Sequence, residues 1–126
     1  MDHKFSKIEH LKSRKAIELL FKDGKSLYKY PLKLVWNFQT LENIEKHQIA
    51  FTVPKRNFKR AVDRNLLKRR MREAYRLNKQ IIYNGDPAII YAMFIFTSKK
   101  NEAYKNIESS IKVLLNRLGK EIESKR

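Results

Sequence analysis

The 126-residue sequence contains no cysteine and only three glycines. Without cysteine, disulfides, thiol catalysis and thiolate zinc sites are excluded, and the absence is compatible with a reducing compartment. Three isolated glycines also exclude a glycine-rich phosphate loop. The longest apolar run, residues 88–96, is far shorter than the roughly 18 residues that a membrane span needs. Since the polar start at residues 1–4 leads to no apolar segment, we expect no signal peptide and a soluble, cytoplasmic protein.

Acidic residues are scarce, with 13 Asp and Glu against 29 Lys and Arg, which gives a net charge of +16. They are scattered along the chain, so the clustered carboxylates of a metal-dependent nuclease are missing. We expect His3 and His10 in a tail and His47 in a loop, which offers no acid and base pair. A positive charge of this size on a chain with 42% hydrophobic residues indicates a folded protein that binds nucleic acid or an anionic membrane surface.

Hydrophobic periodicity predicts one domain over residues 1–126 with the element order αββαβα, an α/β two-layer sandwich. Residues 1–12 are expected to form a loosely ordered basic tail. The predicted elements are a helix from the N-cap Ser13 to Gly24, strands over 32–38 and 49–53, a helix over 61–78, a strand over 88–96 and a helix over about 101–123. The two earlier strands suit a hairpin with a long polar loop at 42–47, and residues 84–87 predict a turn.

The aromatic residues divide into expected core and expected surface. Phe21 and Trp36 lie on apolar faces of the first helix and the first strand, which is predicted to be half-buried, so burial is the expectation for both. Tyr28, Tyr30 and Phe58 lie next to lysines at the boundaries of elements, where exposure to solvent and stacking on bases are more plausible.

The segment 55–79 carries eleven Lys or Arg against two carboxylates. On a helix over 61–78, six polar residues fall within an arc of about 140°: Arg64, Asn65, Lys68, Arg69, Arg72 and Arg76. The apolar residues of this helix take most of the remaining surface: Val62, Leu66, Leu67, Met71, Ala74, Tyr75 and Leu77. A solvated face would mix charges, because like charges at i,i+4 repel. The arc therefore favours a phosphate-binding face, with Arg supplying a planar fork of donors.

The helix sequence AVDRNLLKRRMREAYR, residues 61–76, closely resembles the signature helix of the bacterial ribonuclease P protein subunit. That signature has an Ala-Val, then Arg-Asn-Arg, then Lys-Arg and Arg-Glu. The resemblance extends to the basic N-terminus, the short helix ending at Gly24, the segment 53–56 and the last strand and helix. It implies a ribosomal-protein-like sandwich with a left-handed βαβ crossover.

The resemblance also implies a function: binding to a catalytic RNA and to the 5′ leader of precursor tRNA, to promote endonucleolytic maturation of the tRNA 5′ end. It implies that the RNA is the catalyst, so we expect no catalytic residue in this chain. We expect the holoenzyme to need Mg²⁺, assign no metal ligand to this chain and expect the protein to be monomeric. The expected RNA-binding residues are Lys55, Arg56, Lys59, Arg60, Arg64, Asn65, Lys68, Arg69, Arg72 and Arg76. The residues that correspond to the leader cleft are Ile17, Phe21, Lys33, Val35 and Trp36.

Three other classes remain open at the level of sequence. A ribosomal-type protein that binds structured RNA without a role in catalysis fits the composition equally well, and only the signature helix disfavours it. A stand-alone nuclease is disfavoured by the missing carboxylate cluster. A membrane-surface protein would need the apolar stripe with Leu67 and Met71 to be exposed.

Overall fold

The computed structural model describes residues 5, 9–38, 46–83 and 88–124. Its helices are α1 (Arg14–Asp23), α2 (Ala61–Asn78), α3 (Gln80–Tyr83) and α4 (Tyr104–Ser124), and its strands are β1 (Lys25–Lys29), β2 (Leu32–Phe38), β3 (Gln48–Thr52) and β4 (Ile90–Phe96). All six predicted elements are present. The predicted turn at 84–87 and most of the predicted loop at 42–47 lie outside the described residues.

Two short elements, β1 and α3, were not predicted, so the order is αβββααβα. β1 has Leu27 as its only aliphatic residue and is largely exposed, because it lies at the edge of the sheet. Its sequence therefore lacks the alternation that marks a half-buried strand. α3 has only four residues and follows α2 directly, which is too short for a helical period to be recognised.

The sheet has the strand order β1-β2-β4-β3. β2 pairs antiparallel with β1 and with β4, while β3 pairs parallel with β4. The predicted hairpin of β2 with β3 is wrong, since β4 lies between them. β4 takes the inner position because it is apolar on both faces, as predicted. α2 lies in the crossover that connects the parallel neighbours β3 and β4, the unit to which the resemblance assigns a left-handed course.

The main core lies between one face of the sheet and the helices α2 and α4. Its largest buried side chains are Trp36, Tyr75, Phe94 and Phe96. A second, smaller cluster lies on the other face, where α1 covers Val35 and Met93. β2 is therefore covered on both faces near Val35 rather than half-buried throughout, because the sequence pattern does not reveal that α1 packs there.

The expected loose tail is packed where the structure describes it. The carboxylate of Glu9 is fully buried, and the ammonium of Lys79 donates to its Oε1 at 2.9 Å and its Oε2 at 3.1 Å. His10 forms a parallel bridge with Ile49, whose carbonyl accepts from the Leu11 amide at 3.0 Å. The packing of this segment could not be predicted from local sequence, since the buried ion pair joins residues that are 70 positions apart.

His47 lies in the loop before β3, as expected, but its side chain is buried there. Its Nδ1 accepts from the Ile90 amide at 3.0 Å, so the ring hydrogen lies on Nε2, which donates to the Ile82 carbonyl at 3.1 Å. Its backbone amide donates to the hydroxyl of Tyr83 at 3.0 Å, and that hydroxyl donates to Glu9 at 3.2 Å. Burial and the Glu9 charge raise the pKa of Tyr83, so this donor stays neutral. These contacts connect α3, β4 and the N-terminal segment.

The junction between α1 and β2 requires a glycine. α1 begins as predicted, with the Ser13 hydroxyl accepting from the Ala16 amide at 3.2 Å, and the Gly24 amide donates to the Leu20 carbonyl at 2.9 Å. A Cβ added at Gly24 would lie 2.7 Å from Val35 Cγ1 and would also collide with the Leu20 carbonyl. The close approach of α1 to the sheet therefore excludes a side chain here.

We expect Gly24→Ala to lower the free energy of unfolding by about 1–3 kcal/mol, because the new methyl group overpacks the α1 junction. Gly119→Ala in α4 is the matched control, since its Cβ would meet nothing nearer than the Ile81 carbonyl at 3.7 Å. The control should be neutral or stabilising by up to about 1 kcal/mol. Urea unfolding of both variants measures the difference, and equal losses would contradict the close approach.

Candidate nucleic-acid interface

α2 spans the predicted residues and separates a buried seam from a basic face. Its buried residues are Leu67, Met71, Ala74, Tyr75 and Asn78. Val62 and Leu77 were predicted to belong to the apolar stripe, but they are 60% and 39% exposed. On the helical wheel Val62 lies roughly opposite the seam and Leu77 lies on its flank, so the docking surface of α2 is narrower than its apolar composition suggests.

The basic face differs from residue to residue in how its charges are used. Arg76 donates to both carboxylate oxygens of Glu73, at 2.6 and 3.1 Å, and this hydrogen bonding lowers the pKa of Glu73. Within the part of the chain that the structure describes, Lys68, Arg69 and Arg72 make no ion pair. Arg69 and Arg72 are exposed and Lys68 is half-buried. The charges of these three cations are therefore available to a polyanion.

The basic loop 54–60 is held by contacts with α2 and with β4. The Arg64 guanidinium donates to the carbonyls of Phe58 at 2.7 Å and Lys59 at 2.8 Å. The Phe58 ring packs edge-on against Phe96, with 5.7 Å between the ring centroids. The loop thereby presents four exposed cations: Lys55, Arg56, Lys59 and Arg60. Arg60 lies 3.9 Å from Asp63, which is a weak and exposed contact.

A cleft of about 190 Å³ lies between the basic face of α2 and the edge strand β3. Lys68 and Arg72 line it from α2, and His10 and Lys12 line it from the N-terminal segment. His10 and Lys12 were not predicted as site residues. The sequence shows that this segment is basic, but not that it pairs with β3 next to the buried Glu9–Lys79 ion pair.

The residues that correspond to the leader cleft do not all lie together. Lys33 is exposed and Val35 is buried on the sheet face that α1 partly covers, where Ile17 packs against the small cluster. Phe21 is 63% exposed, so its predicted burial is wrong. Trp36 is fully buried in the main core on the opposite face, which excludes it from the cleft. The alternation of side chains along β2 separates Trp36 from Lys33 and Val35.

Arg70 has a role that sequence reasoning missed. Its guanidinium donates to Asn101 Oδ1 at 2.7 Å and to the Glu102 carbonyl at 2.6 Å, which ties α2 to the loop after β4. In the sequence it is one more arginine of a basic run, and no local signal separates it from Arg69. Arg70 differs from Arg69 because the 97–103 loop of the folded protein lies within hydrogen-bonding distance of the Arg70 guanidinium.

The donor set of the described residues does not suit a resident metal ion. No group of three or more His, Asp or Glu side chains is placed there to hold one. None of the described helices is long and apolar enough to cross a membrane.

A mixed four-stranded sheet backed by α2 and α4, with free cations along α2 and its preceding loop, defines an RNA-binding α/β protein. The Ribonuclease P family model matches residues 5–119. The chain is 33% identical over 122 residues to the ribonuclease P protein component of Porphyromonas gingivalis, covering 94% of this chain and 89% of the relative. It is 31% identical to the Thermotoga maritima ribonuclease P protein component, covering 86% of each.

Solved structures show the same fold. The ribonuclease P protein from Thermotoga maritima matches with a TM-score of 0.71 at 25% identity, covering 86% of this chain and 96% of that one. The Staphylococcus aureus protein matches in fold with a TM-score of 0.67 at 20% identity, covering 87% and 94%. The chain belongs to the ribonuclease P protein family: it is the protein subunit that assists the catalytic RNA in the 5′ maturation of tRNA. The predicted identity as a ribonuclease P protein subunit is thereby confirmed, and the ribosomal-type alternative falls away.

Proposed function

We propose that the basic face of α2 and the loop 54–60 bind phosphates of the catalytic RNA. The observation that carries this assignment is the set of three neighbouring cations, Lys68, Arg69 and Arg72, that have no carboxylate partner among the described residues. Lys68 and Arg72 repel each other at i,i+4, and a phosphate between them removes that repulsion. Affinity then comes mainly from released counterions, with Asn65 as a neutral donor and acceptor nearby.

Arg64 and Arg76 take supporting parts in this interface. Arg64 uses one guanidinium nitrogen to hold the carbonyls of Phe58 and Lys59, so it positions the basic loop and has its other nitrogens left for RNA. Arg76 is neutralised by Glu73 at 2.6 Å. We therefore rank Arg76 as the weakest RNA contact of the ten predicted residues.

We further propose that the 5′ leader of precursor tRNA lies along the sheet face beside α1. Support comes from the exposed Phe21 ring and the exposed Lys33 ammonium, one suited to a base and the other to a phosphate. Ile17 and the buried Val35 form the apolar support under them. We expect one protein monomer to bind each catalytic RNA, in the cytoplasm.

Phe21→Ala tests the leader assignment. Loss of one stacked base lowers affinity by roughly 5- to 100-fold, so the holoenzyme should bind precursor tRNA more weakly while its affinity for mature tRNA is unchanged. Leu19→Ala is the matched control, since Leu19 is the other exposed large apolar residue of α1. An equal loss for precursor and mature tRNA, or no loss for either, would refute a leader contact at Phe21.

A further inference from the structure

Tyr30 is an exposed aromatic residue that the interface described so far does not use. It lies in the turn between β1 and β2 and is 52% exposed. Its hydroxyl is nevertheless held at 2.8 Å from Ser98 Oγ and donates to Glu102 Oε2 at 3.3 Å. Hydrogen bonds hold the hydroxyl end of the ring, while about half of the residue is exposed to solvent. The ring is therefore a preorganised surface on which a base can stack.

The loop that holds Tyr30 is itself fixed on both sides. The Thr97 amide and hydroxyl both donate to the Pro31 carbonyl, at 2.8 and 2.9 Å, which joins the loop to the β1–β2 turn. On its other side, Arg70 of α2 donates to Asn101 and to the Glu102 carbonyl. The position of the Tyr30 ring is therefore determined before any ligand binds, which reduces the entropy that binding must overcome.

The charges around Tyr30 suit a nucleotide. Lys29 is adjacent in sequence, and Lys99 and Lys100 follow Ser98, whose Oγ accepts from the Lys100 amide at 3.0 Å. All three lysines are exposed and none makes an ion pair within the described ranges. Among the described residues Glu102 is the carboxylate that accepts from the ring hydroxyl. The three lysines and Glu102 together sum to +2, the sign that a phosphate requires.

Sheet geometry brings this turn close to the proposed RNA face. Lys29 pairs with Leu32 and Leu32 with Phe96, while the parallel strand β3 ends beside β4. The β1–β2 turn, the 97–103 loop and the basic loop 54–60 therefore leave the same end of the sheet. β2 and β3 are two strand spacings apart, about 10 Å. An RNA strand that contacts the basic loop can reach the Tyr30 ring.

We propose that Tyr30, with Lys29, Lys99 and Lys100, binds one unpaired RNA nucleotide, the base stacking on the ring and the phosphate contacting the lysines. This inference rests on the proposed RNA face and extends it across the end of the sheet. The ligand chemistry is that of a single-stranded nucleotide, which either the catalytic RNA or the leader of precursor tRNA can supply.

Comparison of Tyr30→Leu with Tyr30→Phe separates stacking from structural support. Tyr30→Leu should weaken RNA binding by about 5- to 100-fold. Tyr30→Phe keeps the ring but loses the hydroxyl contacts, so it should retain most of the affinity. Equal losses in both variants, or none in Tyr30→Leu at unchanged thermal stability, would overturn the proposal. Two affinities are measured for each variant. One is the affinity of the protein for the catalytic RNA alone, and the other is the affinity of the holoenzyme for precursor tRNA compared with its affinity for mature tRNA.

A photo-crosslinking phenylalanine analogue at position 30 identifies the source of the nucleotide. Crosslinks to an unpaired position of the catalytic RNA or of the leader support the site and name its ligand, and crosslinks to duplex alone contradict it. A triple alanine variant of Lys68, Arg69 and Arg72 accompanies the series. If that variant loses binding while Tyr30→Leu does not, only the Tyr30 site is wrong; if neither loses binding, the proposed RNA face is wrong as well.

Discussion

Replacing Lys68, Arg69 and Arg72 together by alanine is expected to weaken binding of the catalytic RNA about 1,000-fold at low salt. Each cation contributes a charge-assisted contact of about 1.5 kcal/mol, and about 1.4 kcal/mol corresponds to tenfold in Kd. The slope of log affinity against log salt should fall by about one for each phosphate contact removed. Filter binding over a salt series measures both quantities. The fold should be unaffected, because none of the three makes an ion pair among the described residues.

The matched control is the triple alanine variant of Lys105, Lys112 and Lys120 on the exposed side of α4, which removes the same net charge. The affinity of this α4 variant for the catalytic RNA should fall far less, because the variant loses long-range electrostatic attraction but keeps the phosphate contacts of the α2 face. Arg76→Ala provides a second comparison and should cost less than Arg72→Ala, since Arg76 already pairs with Glu73. Equal losses in the α2 and α4 triple variants would mean that net charge, rather than the α2 face, determines binding.

Lys79→Met is expected to lower the free energy of unfolding by about 3–5 kcal/mol, the usual cost of leaving one partner of a buried ion pair without the other. The Glu9 carboxylate is fully buried and accepts both short contacts from Lys79. A buried carboxyl without its cation favours the neutral form. The loss of unfolding free energy relative to the wild-type protein should therefore be larger near neutral pH than in mildly acidic buffer. Urea unfolding at the two pH values measures it.

The double variant Glu9→Gln with Lys79→Met distinguishes an ion pair from simple packing. Because both charges are removed, its loss of stability should be smaller than the sum of the two single losses and should depend little on pH. Additive losses would contradict coupling between Glu9 and Lys79. The pair lies next to the N-terminal residues His10 and Lys12, which line the cleft beside the basic face of α2. We therefore expect Lys79→Met to weaken RNA binding even under conditions where the protein stays folded.

The strongly periodic elements were predictable from the sequence. α2 has the predicted bounds because its apolar residues recur at helical spacing over 18 positions, and β2 has the predicted bounds because four apolar residues alternate along it. β1 was missed because an exposed edge strand has little apolar pattern. Hydrophobic periodicity also did not indicate that β3 pairs with β4, since it does not record which strands become neighbours; only the family resemblance implied the βαβ crossover that joins them.

The residues of the RNA face could be predicted from the sequence, but the contacts that each charged side chain makes could not. Three arginines of one basic run make different contacts. Arg64 holds the basic loop 54–60, Arg70 holds the 97–103 loop, and Arg76 pairs with Glu73. These differences arise from contacts with the ends of other elements. Likewise, Phe21 has the spacing of a core residue, but the second face of the sheet is only partly covered by α1, and the ring remains in solvent.

Cleavage of precursor tRNA at low Mg²⁺ by a bacterial ribonuclease P RNA, with and without this protein, tests the central claim that the α2 face lets the protein assist the catalytic RNA. We expect cleavage at the mature 5′ end to be stimulated only when RNA and protein are both present, and the triple alanine variant of Lys68, Arg69 and Arg72 to stimulate it poorly at matched concentration. Full stimulation by that variant, or cleavage by the protein alone, would contradict this account.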